Sequence, residues 1–159
     1  MIIDYTFFQD GLLKVEGVTA LAAPSPTNEA NVGVISSFIE KYEPEYLCKL
    51  LGEELYKDFL DNPEKDEWVS LNDMLVIGER ISPIANYVYF HLLRNSQSSV
   101  SLNGVKADGE NLVSPQRKMV SAWNDMVRMN RRLYTWLGKN VRNVQTDEEL
   151  LETINEFNV

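Results

Sequence analysis

Few side chains of this 159-residue sequence have the types and spacing that catalysis requires. His91 is the only histidine and Cys48 the only cysteine. A metal site with two imidazoles, a zinc site of several thiolates and an internal disulfide are therefore excluded for this stretch of chain. His91 lies in an apolar run, where a histidine is more often a buried, hydrogen-bonded residue than a ligand or a general base. Cys48 lies among leucines, which favours a small core residue over a catalytic thiol.

The paired carboxylates do not converge on one point. Glu53 and Glu54 are adjacent in sequence, as are Glu148 and Glu149, and adjacent positions of a helix point about 100° apart. A two-carboxylate mechanism needs two acids that face one substrate, so solvated or helix-capping charges are the better interpretation. The sequence also has no glycine-rich phosphate-binding loop. We therefore predict a protein without enzyme activity, cofactor or metal.

A basic helix face is the one feature with a functional direction. A helix is predicted over about Pro115 to Leu137, with an apolar arc on one side. The opposite side carries the basic residues Arg117, Arg128, Arg131 and Arg132. These side chains suit nucleic-acid phosphates or an acidic protein surface, but also solvent or acids of the same fold such as Glu53, Glu54 and Asp58. Because the net charge is -9, we favour protein contact and keep DNA contact as the second option.

The element that must position these residues is the segment Ser82 to Asn95. Serine followed by proline is a helix-start signature. Advancing by about 100° per residue places apolar side chains on every side of this helix. Such a helix needs neighbours all round, so we place it at the centre of an all-α helical bundle. It is too short to cross a membrane, for which about twenty residues are needed.

The remaining helices are predicted from periodicity and stop signals. We expect helices over Glu29 to Tyr42, from Glu45 to the Asn-Pro pair at 62–63 with an interruption at Gly52, and over 68–81. Pro44 is expected to separate the first two. A capping box at Thr146 predicts a last helix over 147–157. Its apolar stripe comprises Leu150, Leu151, Ile154 and Phe157.

Two segments fall outside the helical pattern. Residues 1–27 are predicted to be an extended N-terminal arm, which packs either on a neighbouring molecule or as the first loop of the domain. Residues 28–159 form a single helical domain with an insertion at 96–113. Within it, alternating side chains flank Asn103-Gly104, with Val105 next, and this predicts a small β-hairpin over about 99–108. A disordered loop is the alternative.

Three stretches together resemble a known family. They are IEKYEPEYLCKLLGEELYKDFL, IANYVYFHLLRN and KMVSAWNDMVRMNRRLYTWL. The first resembles the "I..yi..aq...l..lLG..ly..l" pattern of small helical phage head–tail connector proteins, or adaptors. The others are similar to prophage-encoded structural proteins grouped near them. The resemblance covers roughly residues 30 to 137, mostly at core positions.

The resemblance implies a protein that assembles as a ring between portal and tail without catalysis. Its expected partners are further copies of the chain and the phage portal and tail proteins. Its expected location is the virion or the bacterial cytoplasm, without secretion, since no signal-peptide pattern opens the sequence. The alternative is a monomeric helical binding or regulatory module. The interaction residues singled out are Arg117, Arg128, Arg131, Arg132, Asn103, Gly104 and Val105.

Overall fold

The computed structural model describes residues 1–18, 25–97 and 115–158, and in these ranges the chain is predominantly helical. The α-helices are α1 (Pro26–Leu51), α2 (Glu53–Asp61), α3 (Asp66–Leu75), α4 (Pro83–Gln97) and α5 (Pro115–Asn140). Short 3-10 helices span Tyr5–Phe8, Gly11–Leu13 and Glu148–Leu151. The described ranges contain no β-strand, and the predicted hairpin over 99–108 lies outside them. The all-α prediction is confirmed.

Helix α4 occupies the centre of the bundle, as the sequence predicted. Every residue from 82 to 90 is buried, and the helix packs against both α1 and α5. The Ser82 hydroxyl accepts a hydrogen bond from the Ile84 amide at 3.2 Å, which satisfies a free donor of the first turn. Among the described helices, none combines the length and the apolar content that crossing a bilayer requires.

Helix α1 is continuous through Pro44, so the predicted separation there was wrong. Proline removes one hydrogen bond from a helix interior and costs about 3 kcal/mol. Tyr46, Leu47 and Leu50 follow it on the buried face. Burying side chains of this size gains about 1.5–3 kcal/mol each, which exceeds that cost. The predicted interruption at Gly52 is confirmed, because this residue has φ +83° and separates α1 from α2.

Helix α3 ends six residues before the predicted end at Ile81. The chain then makes a tight turn in which the Ile77 amide donates to the Ile81 carbonyl at 2.8 Å. Gly78 and Arg80 both adopt φ +65° within it, a left-handed conformation that helix propagation does not allow. Ile77, within the predicted helix, is exposed. The turn therefore projects from the bundle just before α4.

Residues 1–18 fold onto their own domain instead of forming an extended arm. Ile3, Phe8 and Val18 are buried in the common core. The buried Glu43 carboxylate of α1 accepts hydrogen bonds from the Ile2 amide at 2.9 Å and the Ile3 amide at 3.0 Å. Charge-assisted hydrogen bonds of this kind are stronger than neutral ones. This part of the predicted arm is thus the first loop of the domain.

The predicted helix over 147–157 is a single 3-10 turn, Glu148–Leu151, followed by non-helical chain. Beyond this turn, the Glu152 carbonyl and both backbone groups of Ile154 bond to side chains of α5. Leu150 is buried, but Phe157, assigned to the same apolar stripe, is 99% exposed. Helix α5 in turn continues past its predicted stop at Gly138 to Asn140.

Candidate interaction surface

Side chains of α5 bind the backbone of residues 148–158, a segment termed the tail here. The Trp123 indole donates to the Glu152 carbonyl at 2.8 Å. The Asn124 amide pairs with both backbone groups of Ile154, donating at 3.0 Å and accepting at 2.9 Å. Because these bonds satisfy backbone groups that a helix would otherwise satisfy, the tail is stable in a non-helical conformation.

A buried polar network continues this attachment into the core. Asn130 accepts from the Tyr46 hydroxyl at 2.5 Å and donates to the Leu150 carbonyl at 2.9 Å. All three residues are fully buried, and burial raises the pKa of Tyr46 well above its ordinary value. The phenol is therefore neutral and acts as a donor. The network ties α1, α5 and the tail together at one point.

Two of the predicted arginines belong to the tail side of α5. The Arg117 guanidinium lies 3.3 Å from a carboxylate oxygen of Glu156, and Arg131 donates to the Leu151 carbonyl at 3.3 Å. Both arginines are exposed. Both guanidinium groups contact this chain's own tail, so part of their capacity to bind an acidic partner is taken up within the fold.

The other two arginines, on the same face of α5, line an open cleft. Arg128 forms an ion pair with Asp125 one turn earlier in the helix. Arg132 has no hydrogen-bond or ion-pair partner in the part of the chain that the structure describes. The arginine face is therefore divided, since Arg117 and Arg131 hold the tail while Arg128 and Arg132 face an open cleft.

The cleft lies between α5, the N-terminal 3-10 turns and the turn at 77–81, and encloses about 500 Å³. An ion pair between Asp10 and Arg80 joins the two loops. The left-handed conformation of Arg80 is what the tight turn requires of a residue at this position. These two loops, distant in sequence, thus form one wall of the cleft.

The cleft combines apolar walls with charged rims. Its apolar lining is Phe7, Leu12, Leu13, Ile81 and Met129. Leu12 is 87% and Ile81 54% exposed, which is unusual for two large apolar side chains that face one depression. At its inner end the Asn86 amide donates to the Ala122 carbonyl at 2.9 Å, which joins α4 to α5.

The charges of the lining balance one another. Three arginines face three acids, and two arginines already form the pairs with Asp10 and Asp125. The lining contains no thiol, hydroxyl or imidazole side chain. No group of three or more potential metal-binding side chains was found in the described ranges. The chemistry that this cleft offers is apolar contact and ion pairing.

His91 and Cys48 lie outside the cleft. The His91 ring stacks on Tyr42 with centroids 4.2 Å apart and contacts the Tyr87 ring edge-on at 4.5 Å. Burial lowers the pKa of His91 to about 4, so the imidazole is neutral near pH 7. Its Nε2 is buried without a hydrogen-bond partner in the described structure, whereas Cys48 is partly buried.

Arg128 and Arg132 of the cleft were predicted interaction residues, but its loop residues were not predicted. Asp10, Leu12, Arg80 and Ile81 come from two loops whose meeting depends on tertiary packing. The one available signal was Gly78 followed shortly by Pro83, which indicated a break without showing its shape. Asn103, Gly104 and Val105, also predicted to interact, lie outside the described residues.

Comparisons with protein-family models, with curated proteins and with solved structures found nothing similar to this chain.

Proposed function

We propose that this protein is a non-catalytic assembly protein of a tailed phage or prophage, of the head–tail connector kind. The observation that carries the proposal is the cleft, where Leu12 and Ile81 remain exposed beside charged residues. Apolar side chains surrounded by polar rims are typical of protein interaction sites. The resemblance of residues 30–137 to connectors supplies the class of partner, namely portal and tail proteins.

The charge distribution supports protein contact over DNA contact. Arg117, Arg128 and Arg131 all have partners within the chain, and the net charge is -9. A DNA-binding surface needs several arginines or lysines free to neutralise phosphates. Of the four predicted arginines, only Arg132 lacks a partner in the described structure.

A genetic experiment tests the proposal in the phage or prophage that encodes the chain. Deleting the gene should leave filled heads without joined tails, seen by electron microscopy. A double variant, Leu12→Asp with Ile81→Asp, should give the same particles because charges replace the apolar wall. Leu60→Asp is the matched control, since Leu60 is 56% exposed on α2 and does not line the cleft. Normal tailed particles from the deletion would contradict the proposal.

The second candidate is a monomeric binding or regulatory module. The observation in its favour is that residues 1–18 and the tail both fold back onto their own chain. Light scattering with and without the portal protein separates the two candidates. A complex with the portal protein that forms with the wild-type chain but not with the Leu12→Asp, Ile81→Asp variant supports the connector. A chain that stays monomeric at every concentration and does not bind the portal protein supports the monomeric module.

A further inference from the structure

We infer that the cleft binds Phe157 of a second copy of the chain, giving a head-to-tail contact between subunits. This inference rests on the proposed role of the cleft in assembly and names its occupant. It begins from the least buried large apolar side chain among the described residues, Phe157, which is 99% exposed.

Phe157 is presented by a structured turn. Its amide donates to the Asn155 side chain at 2.9 Å, and the Asn155 amide donates to the Asn158 side chain at 2.7 Å. Upstream, Glu156 is anchored by Arg117. These hydrogen bonds order the backbone that carries the exposed ring, so less backbone freedom is lost when a partner covers it. The turn is therefore preorganised for binding.

The cleft offers this turn an apolar recess and, within a lining that is neutral overall, one arginine without a partner in the described structure. Its volume of about 500 Å³ and its apolar walls accept one aromatic ring. The tail is acidic and has no basic residue; its acids are Glu148, Glu149, Glu152 and Glu156. Arg132, at the rim of the cleft, has no partner in the described structure and can pair with an incoming carboxylate.

The two surfaces lie on different flanks of α5. Trp123, Asn124 and Asn130 contact the tail, whereas Asp125 and Met129 line the cleft. At about 100° per residue these two sets point away from each other. Different patches of two identical subunits then meet in a heterologous contact, which generates rings or filaments.

The contact between two copies alone is expected to be weak. One phenylalanine buries about 150–250 Å², well below the roughly 800 Å² per partner of a stable interface. Association should therefore be measured by sedimentation at concentrations up to about 1 mM, where a contact of millimolar Kd is half populated.

Complementary variants give the decisive test. Phe157→Ala removes the occupant and Arg132→Glu repels the acidic tail, and each alone should lower the association constant about tenfold or more. A mixture of the two retains one intact cleft and one intact tail, so it should form 1:1 pairs that do not grow. Leu60→Ala and Lys118→Glu are matched controls that should associate like the wild type. Both test positions are exposed, so folding is preserved.

The outcomes also separate this inference from the proposed function. Association of Phe157→Ala at wild-type strength, or a wild-type chain that stays monomeric up to about 1 mM, overturns the inference. If Leu12→Asp with Ile81→Asp still blocks tail joining in either case, the proposed function stands with another occupant. Normal particles from that double variant would show that the cleft is not the assembly surface, and normal particles from the deletion would remove the proposed function itself.

Discussion

Helix α5 has one flank that contacts the tail and one that lines the cleft, and the polar side chains of the two flanks play different roles. Residues of both flanks come from the same turns of the helix. Asn124 and Asn130 bind backbone groups of the tail, whereas their neighbours Asp125 and Met129 face the open cleft. The tail flank has its hydrogen bonds satisfied within the chain. The cleft flank leaves apolar and charged groups exposed to solvent. Stability is therefore expected to depend on the first flank and interaction on the second.

The largest loss of stability is expected from Asn130→Ala. The substitution leaves the Tyr46 hydroxyl and the Leu150 carbonyl buried without their partner, and each unsatisfied group costs about 1–3 kcal/mol. We expect the free energy of unfolding to fall by about 3 kcal/mol in urea denaturation. A fall below about 1 kcal/mol would mean that water replaces the amide. The tail flank of α5 would then be accessible to water.

A pH effect should come from His91, which packs against the rings of Tyr42 and Tyr87. Its pKa is about 4 in the folded protein against 6.5 for the free side chain. The unfolded chain therefore takes up the proton first, and stability falls as the pH drops from 6.5 and is fully reduced below about 4. Since solvent screens the partly exposed ring, the loss is about 1–2 kcal/mol.

NMR of this single imidazole measures the pKa directly. His91→Phe keeps a ring against Tyr42 and should remove this part of the pH dependence. A folded-state pKa near 6.5 would show that the surroundings of His91 are open to water.

A smaller, local effect is expected from Asn124→Ala. The variant loses two hydrogen bonds to Ile154 at a partly buried site, worth about 1 kcal/mol in total. Hydrogen exchange of the Ile154 amide should become faster while amides of α4 keep their protection. Equal acceleration in both places would instead show that the tail and the bundle open together.

The smallest effect should come from Arg132→Ala on the cleft flank. This side chain is exposed and has no partner in the described structure, so the free energy of unfolding should change by less than about 0.5 kcal/mol. Urea denaturation beside Asn130→Ala measures the contrast between the flanks. A loss of 1 kcal/mol or more would place Arg132 in the fold and remove the distinction.

Some helix boundaries could be predicted because their signals are local. Ser82-Pro83 opened α4 as predicted, and Gly52 interrupted the chain where its φ of +83° requires glycine. The helix break predicted at Pro44 was wrong, because the burial of Tyr46 and Leu50 outweighed the hydrogen bond that a proline removes from a helix. The helix predicted from the capping box at Thr146 was also wrong, because side chains of α5 make hydrogen bonds that a helix would otherwise make.

The cleft could not be predicted in the same way. Arg80 and Asp10 are 70 positions apart and carry no shared pattern, so only packing brings them together. The four arginines that the sequence places on one face of α5 are all exposed. Their division into a tail pair and a cleft pair depends on where the tail runs along α5.

The sequence by itself determined the helical character and the buried centre of this protein, because periodicity and capping act over a few residues. It also limited the chemistry, since one histidine and one cysteine exclude many kinds of site. The tertiary structure decided the course of the tail and the existence of the cleft. Both depend on contacts between residues far apart in sequence, whose free energies appear only when the bundle has formed.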